Sequence, residues 1–364
     1  MRDALIIGGG PAGSLAALLL ARAGWAVTLV EQHRFPRDKV CGECVAALGL
    51  DVLRRVGLLD RLTAAGAVGL RRAGLHPPEG RSLFLDLPRP MAGLSRSVMD
   101  ALLLGAAIEA GAAVRQPARC EYVEPGSRTV HVRDLATNTV ESHRPSYLLI
   151  ADGKSALLPD RPLPTSDLGV KAHFENVDGQ RDAIELFGLG GYYGGLAAIE
   201  GGLWNAAFSV PAARLRENRG DVAGVFGSML SENAALRRRL AGARRVSDWL
   251  ASPLPRFGVR RRWPANVIPL GNAAAALDPI GGEGMGLALR SAELAVESLI
   301  APGDNSSLNG RALAWRFRRL WRVRSAACRA AAALASSPAL AGAAVELLNS
   351  NERLARAAMA FLGK

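Results

Sequence analysis

Short apolar runs separated by turn residues set the rhythm of the first half of the chain. Residues 4–8 (ALIIG) predict a buried strand, 14–22 (SLAALLLAR) a helix and 25–30 (WAVTLV) a second strand. A loop from 33 to 40, containing Pro36, leads into an apolar-periodic stretch, and 43–56 is expected as a helix. Residues 67–76 and 81–87 read as paired strands around the turn Pro77-Pro78-Glu79-Gly80. Val98, Leu102 and Ile108 stand at helical spacing, which predicts a helix over 95–110. Short strands are expected at 118–123, 129–133 and 139–143. The run 147–151 (YLLIA) predicts another buried strand, ending at Asp152-Gly153.

The pattern changes after Pro164. Alternating apolar residues at 168–174, 183–187, 191–199 and 203–210 predict a meander of antiparallel strands. Helices follow over 221–241. A strand over 266–270 runs into Gly271-Asn272, and a helix with a glycine-rich start covers 282–299. Helices over 308–334 and 339–362 close the sequence. The expected architecture is α/β: a discontinuous Rossmann-like unit (1–75, 95–165 and 260–300), an antiparallel sheet unit facing the substrate (76–94 and 166–259), and C-terminal helices (301–364).

The turn between the first strand and helix carries chemistry. Gly8-Gly9-Gly10-Pro11-Ala12-Gly13 is a G-x-G-x-x-G run with a strand before it and a helix after it. Gly8 permits the tight turn, Gly10 lets a pyrophosphate approach the backbone, and Gly13 lets helix and strand pack closely. The helix N-terminus presents unpaired N–H groups and a positive dipole end to the phosphates. Glu31 ends the second strand at the distance expected of an acid that accepts a ribose hydroxyl. Together these features predict a dinucleotide site.

Composition narrows the partners. The 364 residues carry a formal charge of +12, and from Arg311 onward ten Lys/Arg face two acids, Glu346 and Glu352. No aromatic-basic binding module accompanies this charge, so no nucleic-acid partner is expected. An acidic carrier protein or an anionic membrane surface fits the basic tail better. The plainest reading is a solvated basic helix in a chain that prefers arginine, with only four lysines. In the closing helix Arg311, Arg318, Arg319, Arg322 and Arg329 gather on one face, and Leu313, Phe317, Leu320, Ala327 and Ala331 on the other. Arg324 falls in the apolar stripe, where it either pairs with an acid of the main body or holds an anionic substrate end. The nucleotide motif begins almost at Met1, so no cleaved leader is expected. No uncharged apolar run is long enough to span a bilayer, so a cytoplasmic location is expected, with peripheral membrane contact as an alternative. The four cysteines do not suggest a secreted disulfide framework.

Four separated motifs coincide: Gly8 to Gly13 with Glu31; Lys39-Val40-Cys41-Gly42-Glu43; Ala151-Asp152-Gly153-Lys154-Ser155; and Gly271-Asn272 followed by Asp278-Pro279-Ile280-Gly281-Gly282-Glu283-Gly284-Met285-Gly286. Over about residues 1 to 300 the chain resembles FAD-dependent oxidoreductases of the geranylgeranyl reductase group, which share a fold with para-hydroxybenzoate hydroxylase and flavin-dependent halogenases. The resemblance implies cofactor contacts from Gly8, Gly10, Pro11, Ala12, Gly13, Glu31, Gln32, Lys39, Arg96, Asp152, Asn272, Pro279, Gly282, Gly284 and Met285. It puts Arg96 beside the phosphates or ribityl chain, and Cys41 and Gly42, with Glu43, at the working edge of the flavin. Where most relatives carry Gly-Asp, this chain has Asn272, which both accepts and donates. The glycines from Gly281 to Gly286 open a helix whose N–H groups stabilise negative charge on the reduced flavin.

Cys41-Gly42-Glu43-Cys44 remains open to three readings. A zinc site needs two further ligands, and the five histidines are scattered, so no metal is expected. A redox-active dithiol is the second reading. The third, implied by the resemblance, is a wall beside the flavin with no disulfide chemistry. For function, the resemblance favours reduction of a carbon–carbon double bond, or a related redox step, on an apolar isoprenoid- or polyketide-like substrate. NAD(P)H would dock transiently, since no second G-x-G-x-x-G unit appears. The alternatives are monooxygenation of an aromatic or polyketide substrate, and a non-catalytic flavin-binding protein. The halogenase Trp-x-Trp-x-Ile-Pro motif is absent.

Overall fold

The computed structural model describes residues 2–124, 126–153, 157–158, 167–255, 257–260, 262–264, 266–301 and 310–362. The chain opens with β1 (Asp3–Ile7), α1 (Pro11–Arg22), β2 (Ala26–Val30), β3 (Cys44–Val45), α2 (Ala47–Arg55) and α3 (Leu59–Ala64). It continues with β4 (Val68–His76), β5 (Leu83–Gly93), α4 (Arg96–Glu109) and β6 (Ala113–Arg115). Next come β7 (Ala118–Val123), β8 (Val130–Asp134), β9 (Val140–His143) and β10 (Tyr147–Ile150). The meander is β11 (Asp167–Glu175), β12 (Ala183–Leu189), β13 (Tyr192–Ala198) and β14 (Trp204–Pro211), followed by α5 (Ala212–Glu217), α6 (Val222–Glu232) and α7 (Ala234–Arg239). Short strands β15 (Arg244–Arg245), β16 (Leu250–Pro253), β17 (Gly258–Val259), β18 (Val267–Pro269) and β19 (Ala275–Ala276) precede α8 (Gly284–Ile300). The helices α9 (Gly310–Ala335), α10 (Pro338–Ser350) and α11 (Glu352–Leu362) end the described chain.

Two sheets organise these elements. The first is parallel, in the order β18-β10-β1-β2-β6. Its strands are nearly continuous apolar runs because both faces are covered. On one face α1, α4 and α8 pack through Leu15, Leu18, Leu103 and Leu289. On the other, Leu5, Ile7, Leu148 and Ile150 meet Ala118, Val130 and Val132 of the small β7-β8-β9 sheet. The second sheet runs β15-β11-β14-β13-β12-β4-β5-β3, with β16 also paired to β11. Every pair in it is antiparallel except β12 with β4. Period-two alternation divides its faces. Val170, Phe174, Phe208 and Val210 turn toward Leu215, Met229 and Leu236 of the α5–α7 layer, and the intervening residues turn the other way.

Several expectations from the sequence need correction. The helix expected from Glu43 begins only at Ala47, because Glu43 takes φ +56° and Cys44–Val45 pair with Ala92–Gly93 as β3. The strand near 67–76, read with the nucleotide unit, belongs to the second sheet through β5 and β12. The helix expected over 339–362 is two helices. Asn351 is extended, and its Oδ1 accepts the Leu354 N–H at 3.0 Å, which starts α11 afresh. Among the described residues no single helix is long and apolar enough to cross a membrane.

At Gly93 the backbone comes so close that a Cβ would lie 2.0 Å from the Ala198 carbonyl oxygen. Gly93→Ala is therefore expected to destabilise the protein by about 1–3 kcal/mol or more. Chemical denaturation checks this; an unchanged midpoint would contradict the close approach of these two segments.

Candidate functional site

β1 runs into Gly8 at φ +103°, a conformation open to glycine and strained for other residues. A Cβ on Gly8 would lie 2.4 Å from Ala151 O, and one on Gly13 would lie 1.8 Å from Gly8 O. The start of α1 thus rests directly on the backbone of β1. Gly10 differs: its nearest neighbour would be Arg96 Nη2 at 3.9 Å, so its open side faces free space. Glu31 braces this loop from the end of β2, one carboxylate oxygen accepting the Gly9 N–H at 2.7 Å and the other the His33 N–H at 2.8 Å. A carboxylate has about four lone-pair sites, so acceptor capacity remains.

The loop opens onto a cavity of about 250 Å³ between the two sheets. Gly10, Pro11, Ala12, Lys39, Cys41, Gly42, Glu43, Arg96, Asn272, Pro279, Gly282, Gly284 and Met285 all line it. Gly8, Gly13, Glu31, Gln32 and Asp152 do not reach its wall. Gln32 is exposed. Asp152 Oδ2 accepts the Leu157 N–H at 3.2 Å, and its neighbours Ala151 and Gly153 form the wall instead. Lys154 and Ser155 of the same motif lie outside the described residues.

Cations crowd one end of this cavity. Ser95 caps α4, its hydroxyl accepting the Val98 N–H at 3.2 Å, which presents Arg96 from the first turn. The buried Arg96 guanidinium is held by Asp100 through two bonds of 2.8 and 2.6 Å, and Arg37 reaches the same carboxylate at 3.4 Å. Burial works against the charge on Arg96, but Asp100 keeps it firmly protonated. Among the described residues Lys39 has no such partner: burial, then the nearby Arg96 and Arg37, push its ammonium down to about 8.

The Cys41–Cys44 turn forms the next stretch of wall. All four cysteines are free thiols; Cys41 is half-buried and Cys44 buried. Burial pushes the Cys44 thiol far above its ordinary value, so Cys44 is not a ready thiolate. Glu43 was expected at the flavin edge, and its carboxylate instead turns into the second sheet. Oε1 accepts the Arg96 N–H at 2.8 Å and lies 2.5 Å from Lys171 Nζ, while Oε2 lies 2.7 Å from His173 Nε2. Asp38 Oδ1 accepts from Lys171 Nζ at 3.1 Å. Asp38, Glu43 and His173 bring potential ligand atoms within 4.8 Å of one another, but the Lys171 ammonium already serves as the cation among them. Sequence reasoning missed Lys171 and His173. The available signal was two basic side chains two residues apart in an otherwise apolar strand.

The helix α9 covers the glycine-rich start of α8. Arg324 Nε lies 3.3 Å from Glu283 Oε2, and Trp321 Nε1 donates to Ala276 O at 2.9 Å. Burial raises the Glu283 carboxyl above its ordinary value, with Arg324 pulling against that shift.

Residues 1–174 match the family model described as an FAD binding domain. The chain is an FAD-dependent oxidoreductase. A menaquinone reductase of Mycobacterium tuberculosis is 28% identical over 357 residues, covering 88% of this chain and 82% of that protein. A digeranylgeranylglycerophospholipid reductase of Methanoculleus marisnigri is 28% identical over 331 residues, covering 84% and 78%. Among solved structures, the flavin-dependent brominase Bmp2 superposes with a TM-score of 0.80 at 19% identity, covering 100% of this chain and 93% of that one. The resemblance drawn from the four motifs holds, and with it the expected fold class. The residues present fit FAD. This flavoenzyme leaves Gly10 bare toward the cavity and gathers Arg96 and Lys39 beside it, as a pyrophosphate requires.

Gly10→Val of the flavoenzyme is expected to fold but purify without the yellow cofactor, because the added side chain enters only the cavity. Gly13→Ala is expected to lose stability outright, because its Cβ has no space. Absorbance and melting of the two variants check the contrast.

The Lys39 shift gives a pH dependence with two signs. As pH rises through about 8 the ammonium is lost, and FAD affinity is expected to fall about three- to tenfold. The FAD-free protein instead gains stability between about 8 and the ordinary value of 10.5, since the unfolded chain there still holds the proton. Lys39→Met should flatten both curves, measured by fluorescence titration and melting.

Proposed function

We propose that this flavoenzyme reduces a carbon–carbon double bond of an apolar isoprenoid- or polyketide-like substrate, with NAD(P)H as a reductant that docks transiently. The division of the cavity carries this reading. Its cationic side chains, Lys39 and Arg96, come from the 39–43 segment and the start of α4. Among the described residues, the second sheet and the loops that close it add none. They supply Ile184, Leu186, Ala197, Leu254, Leu277 and Ile280. Such a floor favours hydrocarbon, at roughly 0.8 kcal/mol per methylene withdrawn from water.

When bound, FAD supplies the hydride relay between nicotinamide and substrate. The chain's own residues do the rest. Gly10, Arg96 and Lys39 hold the phosphates, and the N–H groups around Gly282 to Met285 favour negative charge at the flavin. The apolar floor excludes water. The half-buried Cys41 thiol stands where the wall changes from polar to apolar, in place to give a proton. The names of the reductase relatives support this reading, although monooxygenases and a halogenase also share the fold.

The test is product analysis with FAD-loaded enzyme, NADPH or NADH, and polyprenyl or quinone substrates, with and without dioxygen. The expected product gains two hydrogens and forms equally well under argon. A product that contains oxygen from labelled dioxygen, and forms only when dioxygen is present, would replace reduction by monooxygenation.

A further inference from the structure

The turn that carries Cys41 has an unusual backbone. Glu43 takes φ +56°, a left-handed conformation strained for a residue with a Cβ. Its side chain is wholly buried, where an ionised carboxylate is costly unless donors surround it. Three donors do so, from two places distant in sequence. The Arg96 N–H comes from the start of α4. Lys171 Nζ and His173 Nε2 come from β11, two residues apart and therefore on the same face.

The rest of the turn is held as well. The Leu94 N–H bonds to Glu43 O at 3.0 Å. Asn205 Nδ2 donates to Cys41 O at 3.0 Å, from β14 beside β11. The Glu43 N–H points at Cys41 Sγ, 3.4 Å away. The sulfur that faces the cavity is therefore placed by a peptide unit whose conformation the buried carboxylate fixes. Asp38, half-exposed, gives the Lys171 ammonium a second carboxylate and keeps the cation at its post.

We propose that Lys171 and His173 are positioning residues for the active site: through Glu43 they lock the 41–44 turn in its left-handed form and so aim Cys41 into the cavity. Neither residue is needed to touch substrate or flavin. The inference rests on the reduction reading only in taking Cys41 as the working side chain. The geometry of the turn stands apart from the substrate.

Four variants of the FAD-loaded enzyme test it: Lys171→Met, Lys171→Arg, His173→Gln and Glu43→Gln. Two readouts are taken, the rate at which iodoacetamide alkylates Cys41, followed by mass spectrometry, and turnover with its KM and kcat. Lys171→Met and Glu43→Gln are expected to change the alkylation rate and lower kcat about tenfold or more, with FAD still bound and KM little changed. His173→Gln, whose uncharged amide replaces the ring donor at a different reach, should fall between them and the wild type. Lys171→Arg keeps a cation beside Glu43 but does not release a proton, so it should restore both readouts. Unchanged alkylation in Lys171→Met and His173→Gln would overturn the proposal. Normal alkylation with lost turnover in Lys171→Arg would also overturn it, and would make the cluster a proton path instead. If Lys171→Met does not fold, His173→Gln and Lys171→Arg still decide the matter. If no double bond is reduced by the wild type, the reading of the reaction fails while the alkylation rates still judge the turn.

Discussion

Water does not reach the Glu43 carboxylate, and a charge in that position persists only if protein donors replace the solvent completely. Meeting that condition joins the two halves of the fold. The donors come from α4, which packs on the parallel sheet, and from β11, an inner strand of the large sheet. The cavity lies between those halves, so the bonds that satisfy one buried charge also set the spacing of its walls. Arg239 of α7 and His76 on Glu185 form a second buried group, but that group ties the large sheet to the α5–α7 layer on its far side, and none of its three residues lines the cavity.

Around this tie the cavity is graded in polarity. Asp100 satisfies Arg96 and draws Arg37 toward the same carboxylate, which leaves Lys39 as the cation whose charge depends on what binds. An anionic ligand restores the charge that burial and the two arginines discourage. The site therefore responds to its cofactor, while among the described residues the hydrocarbon-lined floor adds no charged side chain.

The sequence displayed whatever depends on near neighbours. The strand, glycine turn, helix and acid of the opening unit lie within about thirty residues, and each step has a local cause: positive φ at Gly8, close packing at Gly13, the period of α1. The four strands of the meander were legible from alternation. What escaped depends on distant partners. Lys171 and His173 lie 128 and 130 positions from Glu43, and the one local signal, two basic side chains in an otherwise apolar strand, names no partner. The turn at 43–45 was misread for a related reason. The helical period of α2 is real, but pairing with Ala92–Gly93 takes Cys44 and Val45 into the sheet, and the bonds to β11 fix Glu43 in a conformation that no helix permits.

Arg324 shows how a partner in space decides between two meanings of one residue. By the helical wheel it is an intruder in an apolar stripe, read first as an internal ion pair and second as the holder of an anionic substrate end. In the structure it approaches Glu283, which directly precedes α8 at the glycine-rich segment of the cavity wall. That acid is buried enough for its carboxyl to be raised, so the guanidinium answers a need already present in the protein. Arg311, Arg319, Arg322 and Arg329 point outward, away from this contact. The helix α9 therefore divides its arginines: Arg324 at Glu283 and Arg316 at Glu297 fasten it to α8 and the glycine segment before it, while Arg311, Arg319, Arg322 and Arg329 keep its outer face in water.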